Sequence, residues 1–307
     1  MEIVPQGNRI WKTSFIDPTA LIDGKIMLDG DFVYIAPFVE AHSANGDIRI
    51  GEGTNIQDSA KLYGPAEIGS SVSLAHRCEI SNSVVGDFAF VGFGAKITNS
   101  RIRDGAFVSH GAVLNGALIE EDTYVPPCGN KPVGKVPDEL REFREDELKI
   151  NSELVIGYID LLYSMGERAV LFVAPSPATS WTRTPIFPKT EHVRLLGQTR
   201  IIGGVEFAGE ASIGEKTSIR GDEGYPIKIK NQVKIGREVV LHSLKKTSIE
   251  IGSNVTIGDG SIIHGPAVIG RGATIGKNCI LLKSQITDGD TIPDGMVLIE
   301  NKAIFRL

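Results

Sequence analysis

IGSNVTIGDGSIIHGPAVIGRGATIGKNCIL, residues 251–281, carries an apolar residue at every sixth position: Ile251, Ile257, Ile263, Ile269, Ile275 and Leu281. A period of six fits neither an amphipathic helix, which repeats near 3.6, nor a strictly alternating strand, which repeats at two. It fits a short strand followed by a turn, with one apolar side chain directed inwards per strand. Three such strands close a triangular coil of about 18 residues, and stacked coils give a parallel β-helix.

The same period runs through the first half of the chain. Ile50, Ile56, Leu62, Ile68, Leu74 and Ile80 keep it without a gap. The register slips by one and resumes at Val85, Val91, Ile97, Ile102, Val108 and Leu114. Two runs point to two solenoids, in keeping with a length of 307 residues at roughly 150 per domain. The 35 glycines and only 7% aromatic residues also suit many tight turns rather than an aromatic-rich sandwich core.

Between the runs lies PDELREFREDELKINSELVIGYIDLLYSM, residues 137–165, which is charged and has no hexads. Leu154, Ile156, Tyr158, Ile159, Leu161 and Leu162 give it an apolar face, and Pro137 sits where a helix begins. Residues 175–190 hold four prolines and read as an extended linker. The expected order is a first β-helix over 1–136, an α-helical segment packing on it over 137–174, a linker over 175–193 and a second β-helix over 194–307.

Charge and composition narrow the function classes. A net charge of −6 with no Lys/Arg block disfavours nucleic acid and anionic membranes as partners. No apolar run approaches the ~18 residues that span a bilayer. The start, Met1-Glu2-Ile3-Val4-Pro5, lacks the regions of a signal peptide. Cys78, Cys128 and Cys279 form no CxxC pair and read as space-filling thiols. The expectation is a reduced, cytoplasmic protein.

Position arithmetic then singles out polar residues. Ile219, Leu241 and Ile263 are spaced by 22 and 22, and each interval holds a four-residue insertion, near Gly221–Pro226 and Ser243–Ser248. Without the insertions the spacing is one coil, so the next residues, Arg220, His242 and His264, form one column on one outer face. In the first half Asp58 and His76 are 18 apart and become neighbours on adjacent coils, on a different wall of the prism. His42, His110 and His192 find no partners by this arithmetic and read as surface residues.

The stretches Ile219-Arg220-Gly221-Asp222-Glu223-Gly224, Val240-Leu241-His242 and Ile262-Ile263-His264-Gly265-Pro266-Ala267 resemble the γ-class carbonic anhydrases of the hexapeptide-repeat proteins. Asn55-Ile56-Gln57-Asp58 and Val72-Ser73-Leu74-Ala75-His76 do so in the first half. The resemblance covers most of both β-helices and the intervening helix, and it implies the left-handed form of the coil. It also implies an oligomer with a metal at each interface, two histidines from one wall and a third from another. The family's Arg-x-Asp and its first and last metal histidines match Arg220, Asp222, His242 and His264. Its Gln-Asp pair and middle histidine match Gln57, Asp58 and His76.

The departures are complementary. In the first half the family's arginine position is read as Ala41, and its wall histidines are Tyr63 and Ser81. In the second half the Gln-Asp pair is Gly236-Arg237, and the middle histidine is Asp259. Each half keeps the wall that the other has lost. The resemblance therefore implies one composite centre, with His76, His242 and His264 as metal ligands and Asp58 behind His76.

The implied chemistry is reversible hydration of CO2 to bicarbonate by a metal-bound hydroxide, which would make the chain a lyase. Three neutral imidazoles suit Zn²⁺ with an open position for water, with Fe or Co as alternatives. Gln57 would orient the nucleophile, Glu223 resembles a proton-shuttle carboxylate, and Arg220 with Asp222 would tie the interface. The family's second shuttle carboxylate falls at Lys245, which cannot serve as one. A rival set of His242, His264 and Asp259 would form if second β-helices met only each other. Two other functions stay open: a non-catalytic relative acting as a scaffold or metal-binding assembly protein, and a hexapeptide acyltransferase using CoA. The expected partners are CO2 or bicarbonate and further copies of the chain.

Overall fold

The computed structural model describes residues 13–166 and 172–304. Parts of the expected segments that fall on 1–12, 167–171 and 305–307 lie outside the described residues. The chain divides into two compact units at Ile159/Asp160, and both are built on short parallel strands.

In the first unit one sheet runs through Phe15–Ile16, Tyr34–Ile35, Asn55–Ile56, Ser73–Leu74, Phe90–Val91, Phe107–Val108 and Thr123–Val125, all parallel, and closes with the antiparallel Gly134–Lys135. A second, ten-stranded sheet takes the strands in between. In the second unit successive strands go in rotation to sheets of eight, six and five strands. After every third strand the chain returns to the same sheet, one row further on. Rows lie about 4.8 Å apart in such a ladder.

The hexad residues explain the register. Ile56 pairs with Leu74 in the first unit, and Ile219 with Leu241 and Leu241 with Ile263 in the second. Every hexad residue named above is at most 3% exposed. Each such side chain contributes about 1.5–3 kcal/mol on burial. One apolar side chain per strand is therefore enough to hold the stack, and the outward positions are free to carry chemistry.

The charged segment forms a single helix, Asp138–Met165. Its first turn is entered from Pro137, whose carbonyl accepts from the N–H groups of Leu140 and Arg141. Leu154, Tyr158 and Leu161 are buried as expected. Ile156 is not: it is exposed, and Val155 takes its place in the core. The buried face continues upstream through Arg144, Glu147 and Asn151, at helical spacing. Arg144 explains how polar residues are tolerated there, since its Nη1 donates to the carbonyls of Phe88 at 2.7 Å and Gly105 at 2.9 Å. Tyr158 stacks on Phe15 with ring centres 4.7 Å apart.

Residues 175–190 form an irregular segment of the second unit. Ser176 exchanges two hydrogen bonds with Ile186, one through its backbone and one through its hydroxyl. Among the described residues no helix is long and apolar enough to cross a membrane.

Candidate metal centre

In the first unit the site residues sit on the turns that follow the paired strands Asn55–Ile56 and Ser73–Leu74. The Gln57 N–H donates to the carbonyl of Leu74 at 2.8 Å, and the Arg77 N–H to that of Asp58 at 2.9 Å. Arg77 takes the left-handed region, φ +56°, so the chain turns away directly after His76. Asp58 and His76 are thereby set one above the other. Their Oδ2 and Nδ1 atoms are 3.1 Å apart, and both side chains are fully buried. A proton held at Nδ1 towards Asp58 leaves Nε2 as a lone-pair donor, which is the arrangement a ligating histidine needs.

His76 has a further support. Its ring stacks on Phe93 at 5.2 Å, and Phe93 stacks on His110 at 4.4 Å. The Phe93 N–H donates to Nδ1 of His110 at 3.1 Å, which marks that nitrogen as an acceptor and the ring as neutral. Burial lowers the His110 pKa to about 4, with the neighbouring His76 acting in the same direction. His110 is thus part of the core and not a surface residue. The reason is that it stands one row beyond Phe93 in the column that begins with Asp58 and His76.

Gln57 is 3% exposed. Its Nε2 lies 3.5 Å from Oε2 of Glu147 on the helix, and its Oε1 has no hydrogen-bond partner. Arithmetic along the six-residue repeat alone gives no sign of Glu147. Its signal was the helical spacing of Arg144, Glu147, Asn151, Leu154 and Tyr158, which puts a carboxylate on the packed face.

In the second unit the strands Thr217–Gly221, Val240–His242 and Ile262–His264 pair in parallel, and Arg220, His242 and His264 stand in register. The two insertions stack on one another beside them. Ser243 donates from its hydroxyl to the Tyr225 carbonyl at 2.7 Å, and the Lys245 N–H donates to Oε2 of Glu223 at 2.5 Å. Arg220 Nη1 donates to Asp222 Oδ2 at 2.6 Å, a buried ion pair. His242 Nε2 lies 3.4 Å from Asp222 Oδ1 and 3.3 Å from Glu223 Oε1. The rings of His242 and His264 meet edge-on at 5.2 Å. Burial and Arg220 push the His242 pKa down, but hydrogen bonds to Asp222 and Glu223 outweigh them and raise it to about 9.

Lys245 does not reach into this cluster with its ammonium group. Its Nζ rests over the Trp181 ring, 4.3 Å from the centre.

The positions the two halves were expected to have lost are equally definite. Tyr63 and Ser81 stand in register, and the residue that completes their column is His42, not Ala41. Ala41 pairs with Leu62 and points inwards, because side chains alternate along the strand. His42 stacks on Tyr63 at 5.4 Å and bonds Asp23 at 3.3 Å, so it has partners after all. His192 is exposed, as expected. Asp259 is turned to solvent and bonds Arg237, accepting from its N–H at 2.9 Å.

The donor chemistry fits a metal of the zinc type. His76, His242 and His264 are each buried, and imidazole nitrogen is a donor that such a metal takes. The three cysteines are buried and form no disulfide with one another, and burial pushes the Cys78 and Cys279 thiols up, away from the thiolate that would bind metal.

Comparison with known proteins supports the resemblance read from the sequence. The family described as bacterial transferase hexapeptide (six repeats) matches residues 248–283. The chain is 28% identical over 154 residues to a carbonic anhydrase of Methanosarcina thermophila, covering 40% of this chain and 62% of that protein. It is 29% identical over 160 residues to the carboxysome assembly protein CcmM of Nostoc, covering 43% of this chain and 29% of that one. It is 32% identical over 106 residues to the carnitine operon protein CaiE of Escherichia coli, covering 34% of this chain and 52% of that protein. The chain thus spans less than two thirds of each of these relatives. Among solved structures, a hexapeptide transferase family protein from Anaplasma phagocytophilum superposes with a TM-score of 0.41 at 24% identity, covering 47% of this chain and 92% of that one.

Proposed function

We propose that the chain is a γ-class-like carbonic anhydrase built on two left-handed parallel β-helices. In this reading His76 joins His242 and His264 around one metal ion, zinc with iron or cobalt as alternatives, within a homo-oligomer. When bound, the ion would supply the Lewis acidity that makes hydroxide available from water near neutral pH for attack on CO2. The carrying observation is the set of three buried imidazoles, one of them backed by a buried carboxylate.

The chain's own residues have defined tasks in this reading. Asp58 keeps the His76 proton on Nδ1. Gln57 offers its Oε1 to an O–H and so orients the nucleophile towards CO2. Asp222 neutralises Arg220 and, together with Glu223, faces His242. Glu223, whose Oε1 lies 3.3 Å from His242 Nε2, is the proton-accepting carboxylate of this reading.

A second reading has its own support. Similarity to a carboxysome assembly protein, together with Lys245 where the family's second shuttle carboxylate stands, favours a metal-holding assembly protein without turnover. One pair of measurements separates the two. Metal analysis of the purified chain, followed by stopped-flow CO2 hydration on the metal-loaded protein, gives metal and turnover for the enzyme. Metal without turnover favours the assembly reading. Absence of metal under loading overturns both.

A further inference from the structure

The first unit contains a carboxylate whose placement is not explained by the fold alone. Glu147 is buried on the packed face of the helix, and its Oε2 is the neighbour of Gln57 Nε2 at 3.5 Å. Its position is over-determined by the helix around it. Arg144, one turn earlier, is fastened to two solenoid carbonyls, and Asn151, one turn later, donates from its side chain to the Glu147 carbonyl at 2.8 Å. Phe143 packs edge-on against Phe90 with ring centres 5.7 Å apart.

We propose that Glu147 is a positioning residue that decides which end of the Gln57 amide serves the site; this rests on the carbonic anhydrase reading given above. The Gln57 Nε2 donates to Glu147 Oε2, and a primary amide has one donating and one accepting end. With its NH2 turned to Glu147, Gln57 presents its oxygen, and that Oε1 is the buried atom left without a partner. Gln57 is then fixed as an acceptor from an O–H. The flipped amide would instead donate to the nucleophile's oxygen and tie up the lone pair needed for attack. The helix thus takes part in the chemistry through one amide, without touching substrate.

The test uses the full chain and reads the amide directly. In metal-free protein the Gln57 side-chain NH2 resonance, assigned as the signal lost in Gln57→Ala, is followed by ¹⁵N NMR. Glu147→Gln should move it upfield and speed its solvent exchange roughly tenfold or more, the loss expected for one hydrogen bond to a charged acceptor. In metal-loaded protein Glu147→Gln should lower kcat with metal content unchanged, and should have no further effect in the Gln57→Ala background. An amide signal that does not respond, or an equal loss with and without Gln57, overturns the proposal. If the wild-type chain holds metal and does not hydrate CO2 while the amide signal responds, the catalytic reading falls and the positioning stands. Should Glu147→Gln fail to fold, Glu147→Asp, which withdraws the carboxylate by one methylene, is read in the same way.

Discussion

The two units place different chemistry on the same backbone positions. One wall of the first unit carries His42, Tyr63 and Ser81 in register, and the matching wall of the second carries Arg220, His242 and His264. At the corner the pattern is reversed. Asp58 and His76 are buried and bonded to each other, whereas Arg237 and Asp259 form an exposed pair on the corresponding turn. That turn is closed in the same way in both units, by the Arg77 N–H to the Asp58 carbonyl and the Gly260 N–H to the Arg237 carbonyl. The repeat constrains only the inward residue of each strand. Outward positions are not fixed by the repeat, so they can carry different residues in the two units.

The largest expected contrast lies in the carboxylates beside the two walls. Asp222 is fully buried against Arg220, and removing it takes from the buried guanidinium the carboxylate it bonds at 2.6 Å. Asp222→Ala should therefore cost about 3–5 kcal/mol in urea unfolding. Asp23, the carboxylate beside His42, has a side chain 67% exposed. Asp23→Ala should cost at most about 1 kcal/mol. Equal losses at the two positions would mean that the walls are energetically alike.

The comparison also shows what a sequence can reveal. The hexads were legible because a backbone repeat fixes which side chain points inwards, and one substitution per six residues is enough to see it. The Arg220, His242 and His264 column was legible once the two insertions were removed. Ala41 was assigned one residue off because the coil between His42 and Tyr63 has 21 residues, and a shift of one reverses the facing side. Burial on an outer face is set by whatever packs there, which periodicity does not encode. His110 and Glu147 were hidden for that reason, and Val155 and Ile156 exchanged roles because adjacent apolar residues on a helix leave its facing ambiguous.

His110 gives the next largest effect, and one with a defined sign. Its pKa falls from 6.5 to about 4 on folding. Between those values the unfolded chain binds a proton that the folded chain refuses, so stability is full above pH 6.5 and declines as pH falls towards 4. At 1.36 kcal/mol per unit the decline amounts to about 3 kcal/mol. His110→Gln keeps an acceptor for the Phe93 N–H and should flatten that part of the pH dependence. The check is the difference between wild type and variant in urea midpoints at pH 4.5 and 7. A difference independent of pH would show that the His76–Phe93–His110 stack tolerates an imidazolium.

The smallest effect separates the two corners by metal affinity. On the proposed reading the Asp58 carboxylate, 3.1 Å from His76 Nδ1, fixes which nitrogen of that ring is the donor, and outer carboxylates of this kind are worth about 10–100-fold in metal affinity. Asp58→Asn should weaken binding by that factor, since an amide can offer either its oxygen or its NH2 to Nδ1 and no longer dictates the tautomer. Asp259→Asn should leave the affinity unchanged, because Asp259 is exposed and engaged with Arg237. Competition titration against a chelator measures both. The opposite result, with Asp259→Asn weakening the ion and Asp58→Asn silent, would move the centre to His242, His264 and Asp259. The first unit's buried Asp58–His76 pair would then be a structural contact, and the proposed sharing of ligands between the two units would fall.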